Sequence, residues 1–117
     1  MRTENIIVVK SKLFALRIIK LCQHLTADCR EYVLSKQLLR SGTSIGANVK
    51  EATRAESKPD FYHKMGIALK EASETEYWLE LLHESGYLPE SRFTVIYHDC
   101  QELLRILMAI TKKRNET

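Results

Sequence analysis

Turn-forming residues are scarce in this sequence, which has four Gly and two Pro among 117 residues. A β-rich fold of this length turns about every 8–12 residues, so the scarcity argues against a many-stranded architecture. The length suits one hydrophobic core and is short for two ordinary domains. We therefore expect a single domain over residues 1–117, built from a few long elements.

Cysteine pairs and long apolar runs are also missing. The three cysteines (Cys22, Cys29 and Cys100) form no CxxC pair and are odd in number, which disfavours a zinc knuckle or a disulfide framework. The longest apolar runs, such as residues 6–9, fall far below the roughly 18 residues of a membrane span, and no signal-type segment begins the chain. We expect reduced thiols, no membrane association and a cytoplasmic location.

Charge is modest overall but unevenly distributed. The net charge is +3; residues 1–58 carry 11 Lys and Arg against 5 Asp and Glu (+6), and residues 59–117 carry 7 against 10 (−3). Two interpretations are open, because the basic half could bind nucleic acid or could pair with the acidic half of the same chain.

Apolar residues recur with helical spacing along the whole chain, as in Phe14, Ile18, Leu21 and Leu25. Capping-box spacing in Asp28/Glu31 and Ser57/Asp60 marks the starts of two helices. The predicted helices cover about residues 7–25, 29–56, 58–85 and 89–114. Because the links are short, neighbouring helices must run antiparallel, which predicts an all-α, up-down-up-down four-helix bundle.

The third and fourth predicted helices are apolar on more than one side. The residues outside their main stripes are Ile67, Trp78, Leu82, Val95 and Ile106. A helix that is apolar nearly all round is buried nearly all round, so this second face predicts an interface between copies of the chain. The alternative is a wide core within one chain.

The second predicted helix contains Gly42 and Gly46, which are poor helix formers. Their small size lets a neighbouring helix approach closely, which is our interpretation of the pair. A phosphate-binding glycine loop is rejected, because the Walker spacing and its Gly-Lys-Ser/Thr ending are absent.

Polar residues line the second helix beside its core stripe and face acidic residues of the third. We expect an Arg, either Arg40 or Arg17, to pair with one of the glutamates by charge-assisted hydrogen bonds. Such a cluster can fix helix register, form an oligomer contact or bind a ligand, and all three remain open. The predicted buried polar network comprises Arg40, Ser44, Asn48, Glu51, Glu71, Glu74 and Glu76.

Catalytic and metal-binding motifs are not recognisable. The four His occur singly, without HExxH or the paired Glu-x-x-His motifs of di-iron bundles. His98, Asp99 and Cys100 are adjacent and would point in different directions from a helix, so they form no triad. We expect no enzymatic activity, no catalytic residue, no metal and no cofactor.

Three segments carry a family resemblance: FALRIIKL (residues 14–21), VLSKQLLRSGTSIGANVKEA (33–52) and ALKEASETEYWLELL (68–82). They resemble the bacterial ribosomal-RNA intervening-sequence proteins, named for members encoded within large-subunit ribosomal RNA genes. The Arg-Ser-Gly-x-Ser-Ile-Gly-x-Asn block at residues 40–48 is the most specific part, with Glu71, Glu74, Tyr77 and Trp78 in the third helix.

The resemblance implies an antiparallel four-helix bundle and a ring-shaped homopentamer like the related accessory protein of diversity-generating retroelements. That relative is thought to bind nucleic acid through a basic surface. Carried over, the candidates to bind RNA or single-stranded DNA here are Lys10, Lys12, Arg17, Lys20, Lys36, Lys50 and Arg54. The alternative is a structural or protein-interaction oligomer with no nucleic-acid role.

Overall fold

The computed structural model describes residues 2–116, and the side chains of residues 5–115. Four helices follow in order: α1 (Arg2–Ala27), α2 (Leu34–Ala52), α3 (Lys58–Glu84) and α4 (Glu90–Lys112), with a short 3₁₀ turn at Lys113–Glu116. Each helix packs on the one before it and α4 packs back on α1, giving a bundle 47 Å long. The all-α four-helix prediction is confirmed. The two ends of the predicted domain, Met1 and Thr117, lie outside the described residues.

The start of α2 differs from the prediction. Asp28 does not cap this helix, because its carboxylate contacts the His24 ring instead, and α1 continues to Ala27. The helix begins at Leu34, and the buried Glu31 carboxylate accepts from the amides of Leu34 (3.0 Å) and Ser35 (2.7 Å). One acidic side chain therefore satisfies two amides that have no partner within the helix.

The end of α2 also comes earlier than the predicted residue 56. The helix stops at Ala52, and the chain is extended at Ser57, whose hydroxyl accepts from the Asp60 amide at 3.2 Å and caps α3. Arg54 consequently lies in the connection after α2. The predicted bounds of α3 agree with the structure to within one residue at its C-terminal end.

The core combines the apolar stripes of all four helices. The predicted core residues of α1, which are Phe14, Ile18, Leu21 and Leu25, are buried and belong to one cluster that includes Ile45 of α2. Burial of such aliphatic and aromatic side chains contributes about 1.5–3 kcal/mol each before the opposing loss of conformational entropy. The core is therefore shared and not divided between helix pairs.

Two glycines of α2 lie directly against α1. A Cβ atom built on Gly42 would lie 2.9 Å from both Cγ atoms of Ile18, and one on Gly46 would lie 3.4 Å from the Ser11 carbonyl oxygen. Ile18 is fully buried and branched at Cβ, so it has little freedom to move aside. The small size of these two residues sets the distance between α1 and α2.

Gly42→Ala should destabilise the protein. The added methyl group overfills the contact with Ile18, and this cost should exceed the gain in helix propensity, leaving a net loss of about 1–2 kcal/mol in the free energy of unfolding. Gly66→Ala in α3 is the matched control, because a Cβ there would meet no atom within 4 Å other than those of its own chain neighbours and helix backbone. It should stabilise by up to about 1 kcal/mol. Urea unfolding measures both, and equal effects would contradict this explanation of the glycines.

Candidate functional site

Two of the seven candidate basic residues pair with acidic residues of α4. Lys10 Nζ lies 3.2 Å from a Glu102 carboxylate oxygen, and Arg17 Nη1 lies 2.6 Å from Asp99 Oδ2. These pairs cross between α1 and α4, the neighbouring helices with the least contact. Part of the basic half is thus neutralised by the acidic half of the same chain.

The other five candidates are exposed and make no ion pair with any residue in the part of the chain that the structure describes. They are Lys12, Lys20, Lys36, Lys50 and Arg54. Lys12 of α1 and Lys50 of α2 line one shallow groove of about 430 Å³ between the two helices. Its floor is made of small residues, including Ser11, Ala15 and Gly46, so the same close packing that the glycines permit also shapes the groove.

The predicted pairing of an Arg with the α3 glutamates is confirmed for Arg40. Its Nη2 donates to both carboxylate oxygens of Glu74 (2.7 and 2.8 Å), and Nη1 lies 3.6 Å from Glu71 Oε1. Partial burial raises the pKa of Glu71, and Glu74 adds to the effect, while Arg40 opposes it. Glu71 Oε1 is buried without a hydrogen-bond partner, so the ion pair with Arg40 offsets the burial of this carboxylate only in part.

The other residues of the predicted buried network do not join this cluster. Ser44 and Asn48 bond to backbone carbonyls one turn back in α2, and Glu51 pairs with Lys64 at 2.8 Å. Glu76 makes no hydrogen bond or ion pair with the described residues. The pKa of Tyr97 is raised mainly by its hydrogen bond to Glu80 and that of Cys100 mainly by burial, and the charge of Glu76 adds to both shifts. About half of the Arg40 and Glu51 side-chain surface is exposed. What remains is a surface cluster of three residues and not a pocket.

A buried contact between α2 and α3 was missed at the sequence level. The Thr75 hydroxyl donates to Ser41 Oγ at 2.9 Å, and both residues are fully buried. The sequence did contain a signal, because Ser41 lies on the face of α2 that is otherwise apolar. Together with Arg40 and the two glycines, Ser41 makes residues 40–48 the segment that holds α2 to both neighbours.

The predicted second apolar face on α3 and α4 is corrected at Leu82, which is fully buried within the chain. The reason is that α3 packs between α2 and α4, so one chain already covers two sides of it. Ile67, Trp78 and Ile106 are half-buried, and Val95 is 63% exposed. Of the five predicted interface residues, Val95 alone is largely accessible.

The largest exposed apolar series lies instead on α1, where sequence reasoning did not place it. We call it the α1 stripe: Ile6, Val9, Leu13, Leu16 and Ile19, which are 38–58% exposed. The first four follow at steps of three, four and three, so they share one face, opposite the buried Phe14 and Ile18. The periodicity was present in the sequence, but it overlaps the core pattern of the same helix.

Residues 2–116 contain neither a membrane-spanning helix nor a metal-binding cluster. None of the helices there combines the length and apolarity needed to cross a membrane. That part of the chain also has no group of three His, Cys, Asp or Glu side chains placed to hold a metal ion.

Comparison with known proteins identifies the family. The family model described as 23S rRNA-intervening sequence protein matches residues 3–109, nearly the whole chain. The chain belongs to this family. A solved structure from Bacteroides thetaiotaomicron, described as a protein of unknown function from the S23 ribosomal protein family, is 48% identical. The match covers 94% of this chain and 98% of the other, with a TM-score of 0.92. The comparison with curated proteins gave no match.

Within the 23S rRNA-intervening sequence family fold, the motif at residues 40–48 has a structural explanation in this chain. Gly42 and Gly46 let α1 approach closely, and the Ser41 hydroxyl accepts a hydrogen bond from Thr75 of α3. The Arg40 guanidinium donates to the Glu74 carboxylate at the surface. These contacts are made within one chain. The motif that carries the resemblance therefore packs α2 against both neighbouring helices, and these contacts explain its residues without a ligand.

Glu71→Gln should stabilise the protein slightly at pH 7, and Glu74→Gln should destabilise it by about 0.5 kcal/mol. An acid whose pKa is raised by folding destabilises the protein when ionised. The advantage of Glu71→Gln should therefore shrink as pH falls through the raised pKa of Glu71. Thermal unfolding from pH 7 to pH 4 measures this, and a larger loss from Glu71→Gln than from Glu74→Gln would contradict it.

Proposed function

We propose that this protein is a non-enzymatic, self-associating helical scaffold that binds the backbone of RNA or single-stranded DNA through exposed cations of α1 and α2. The observation that carries the proposal is the imbalance of charge on these helices. Between residues 5 and 50 there are eight Lys and Arg against two Asp and Glu, and one of those acids, Glu31, is buried as a helix cap.

The groove between α1 and α2 supports phosphate contact. Lys12 and Lys50 line it, and its small side chains would let a phosphate approach both ammonium groups. Lys36 lies 14 residues before Lys50, which is about 21 Å along the helix. Cations with this spacing suit contact with several phosphates without base recognition.

An exposed aromatic residue favours single strands over a duplex. Tyr32 is 62% exposed and lies four residues before Lys36. An unpaired base can stack on such a ring, whereas a base within a duplex is already stacked. We propose that Tyr32 extends the basic surface as a stacking platform.

Self-association is supported by the α1 stripe. Four of its residues, Ile6, Val9, Leu13 and Leu16, have coiled-coil spacing. Lys10, Lys12 and Arg17 flank them, which gives an apolar centre with a charged rim. A second copy suits this surface, because the other half of the chain is acidic and exposes Tyr77, Val95 and Met108. A contact between two different faces generates a closed ring when the rotation permits. We propose a ring of about five subunits, the number that the family resemblance implies.

The alternative is a protein-interaction oligomer with no nucleic-acid role. It is favoured by the pairing of Lys10, Arg17 and Arg40 with acidic residues, which shows that part of the positive charge serves the fold. In either case we propose a cytoplasmic location, in line with the three free thiols.

The double variant Lys12→Gln/Lys50→Gln should bind nucleic acid less tightly, and its affinity should depend less steeply on salt concentration. Loss of two phosphate contacts should reduce the slope of log K against log salt by about 1.4, since each contact to a single strand contributes about 0.7. Fluorescence anisotropy with a labelled single-stranded RNA at several salt concentrations gives the slope.

The matched control for this test is Lys70→Gln/Arg105→Gln, which removes the same charge from exposed positions of α3 and α4. Its slope should stay at the wild-type value. If wild-type protein does not bind the RNA even at low salt, the nucleic-acid proposal fails and the protein-interaction alternative replaces it.

The double variant Val9→Gln/Leu16→Gln should reduce the size of the assembly. Both side chains are more than half exposed in the single chain, so the change removes apolar contact area between copies while leaving the core intact. Sedimentation velocity measures the assembly, and circular dichroism checks the fold. Val33→Gln, at an exposed position away from the α1 stripe, is the control. An assembly of unchanged size in the double variant would overturn the assignment of this interface.

A further inference from the structure

Three side chains with complementary chemistry meet where α1 ends. His24 lies on the last turn of α1, and Asp28 and Cys29 follow the helix. The ring atom Nδ1 of His24 is 2.7 Å from Asp28 Oδ2, and Nε2 is 3.7 Å from Cys29 Sγ. This gives a thiol, an imidazole and a carboxylate in a row.

One protonation state of the imidazole satisfies both contacts. If Nδ1 carries the hydrogen and donates to Asp28, Nε2 has a free lone pair that accepts the Cys29 S–H. Transfer of that proton gives an imidazolium that donates to the carboxylate and to the thiolate. A nucleophile beside a base that is itself oriented by a third group is the arrangement that activates thiols in proteins.

The helix end holds this geometry in place. The amides of Asp28 and Cys29 both donate to the His24 carbonyl, at 2.9 and 3.4 Å, which folds the chain back over the His24 turn. Arg30 then takes a left-handed conformation (φ 54°) and directs the chain toward α2.

The other two cysteines have different surroundings. Cys22 and Cys100 are buried, and their thiols donate to the backbone carbonyls of Ser35 and Ala72. Burial raises the pKa of Cys22 to about 11 and that of Cys100 to about 12. Cys29 is partly exposed, and about a third of the His24 side-chain surface is accessible. The chain therefore contains two protected thiols that serve as internal controls for the third.

The arrangement does not suit a metal ion. Asp28 contacts one ring nitrogen and Cys29 contacts the other, and these nitrogens point in different directions from the ring. The carboxylate, the imidazole and the thiol therefore do not converge on one position that a metal ion could occupy.

We propose that Cys29 is a covalent modification site that reacts with small-molecule disulfides, with His24 as the base and Asp28 as the residue that positions His24. In this thiol–disulfide exchange His24 Nε2 takes the thiol proton. Cys29 Sγ attacks one sulfur of the disulfide, so a new S–S bond forms as the old one breaks. The departing sulfur leaves as a thiolate and takes the proton from His24. The products are a mixed disulfide on Cys29 and one free thiol.

The test uses the full-length protein and bis(2-hydroxyethyl) disulfide, a neutral probe, at pH 7. Intact-mass and peptide mass spectrometry follow each thiol over time. We expect one adduct, on Cys29, with Cys22 and Cys100 unmodified in the folded protein. His24→Gln should slow the reaction about tenfold, and His98→Gln, at an exposed His of α4, should not.

The role of Asp28 is tested by comparing two substitutions. Asp28→Asn should slow the reaction, and Asp28→Glu should restore most of the rate, because a carboxylate is needed to orient and stabilise the protonated ring. In denaturant, Cys29 should react at the same rate in all variants. Equal rates there would show that the differences in the folded protein come from the arrangement of the site and not from the reagent. Asp28 is mostly exposed, so its variants give an answer even if His24→Gln does not fold.

The proposal is overturned if Cys29 reacts at the wild-type rate in both His24→Gln and Asp28→Asn. It is also overturned if the buried cysteines of the folded protein react as fast as Cys29. Neither result would affect the proposed scaffold function, which depends on other residues.

Discussion

The close approach of α1 to α2 determines the arrangement of this molecule. Gly42 and Gly46 leave no side chain between the helices, so Ile18 and the backbone at Ser11 lie directly on α2. With α1 held at this distance, Phe14 and Ile18 enter the core, and the α1 stripe is turned to solvent. The same approach brings Lys12 and Lys50 to one groove. One packing contact therefore positions both surfaces on which the proposed function depends.

The motif at residues 40–48 consequently belongs to the fold. Its glycines allow close contact with α1. Its contacts with α3 are the Ser41–Thr75 hydrogen bond and the Arg40–Glu74 ion pair. Arg40 and Glu74 are partly open to solvent and pair with each other within the chain. The surfaces proposed for partner recognition lie outside this motif, where apolar side chains of α1 are exposed and Lys12 and Lys50 make no ion pair with the described residues.

Four helices and their core stripes follow from the sequence, because the period of apolar residues is strong and few turn formers interrupt it. The ends of α2 do not, since Asp28 and Glu31 have capping spacing but only Glu31 reaches the helix amides. The pairing of Arg40 was predictable from charge alone, whereas the exposure of Glu51 depends on where α2 meets α3. The α1 stripe was hidden because two apolar patterns overlap on one helix. Likewise, the contact of His24 with Asp28 and Cys29 depends on how α1 ends, which residue spacing does not reveal.

We propose that the α1 stripe and the groove between α1 and α2 are used in an assembly that binds nucleic acid. Light scattering coupled to size exclusion tests it on the unmodified protein, with and without a single-stranded RNA, at low and moderate salt. We predict a species of several subunits, about five, that carries RNA at low salt and releases it as salt increases. A single-chain mass under all conditions, with no RNA retained, would contradict the account.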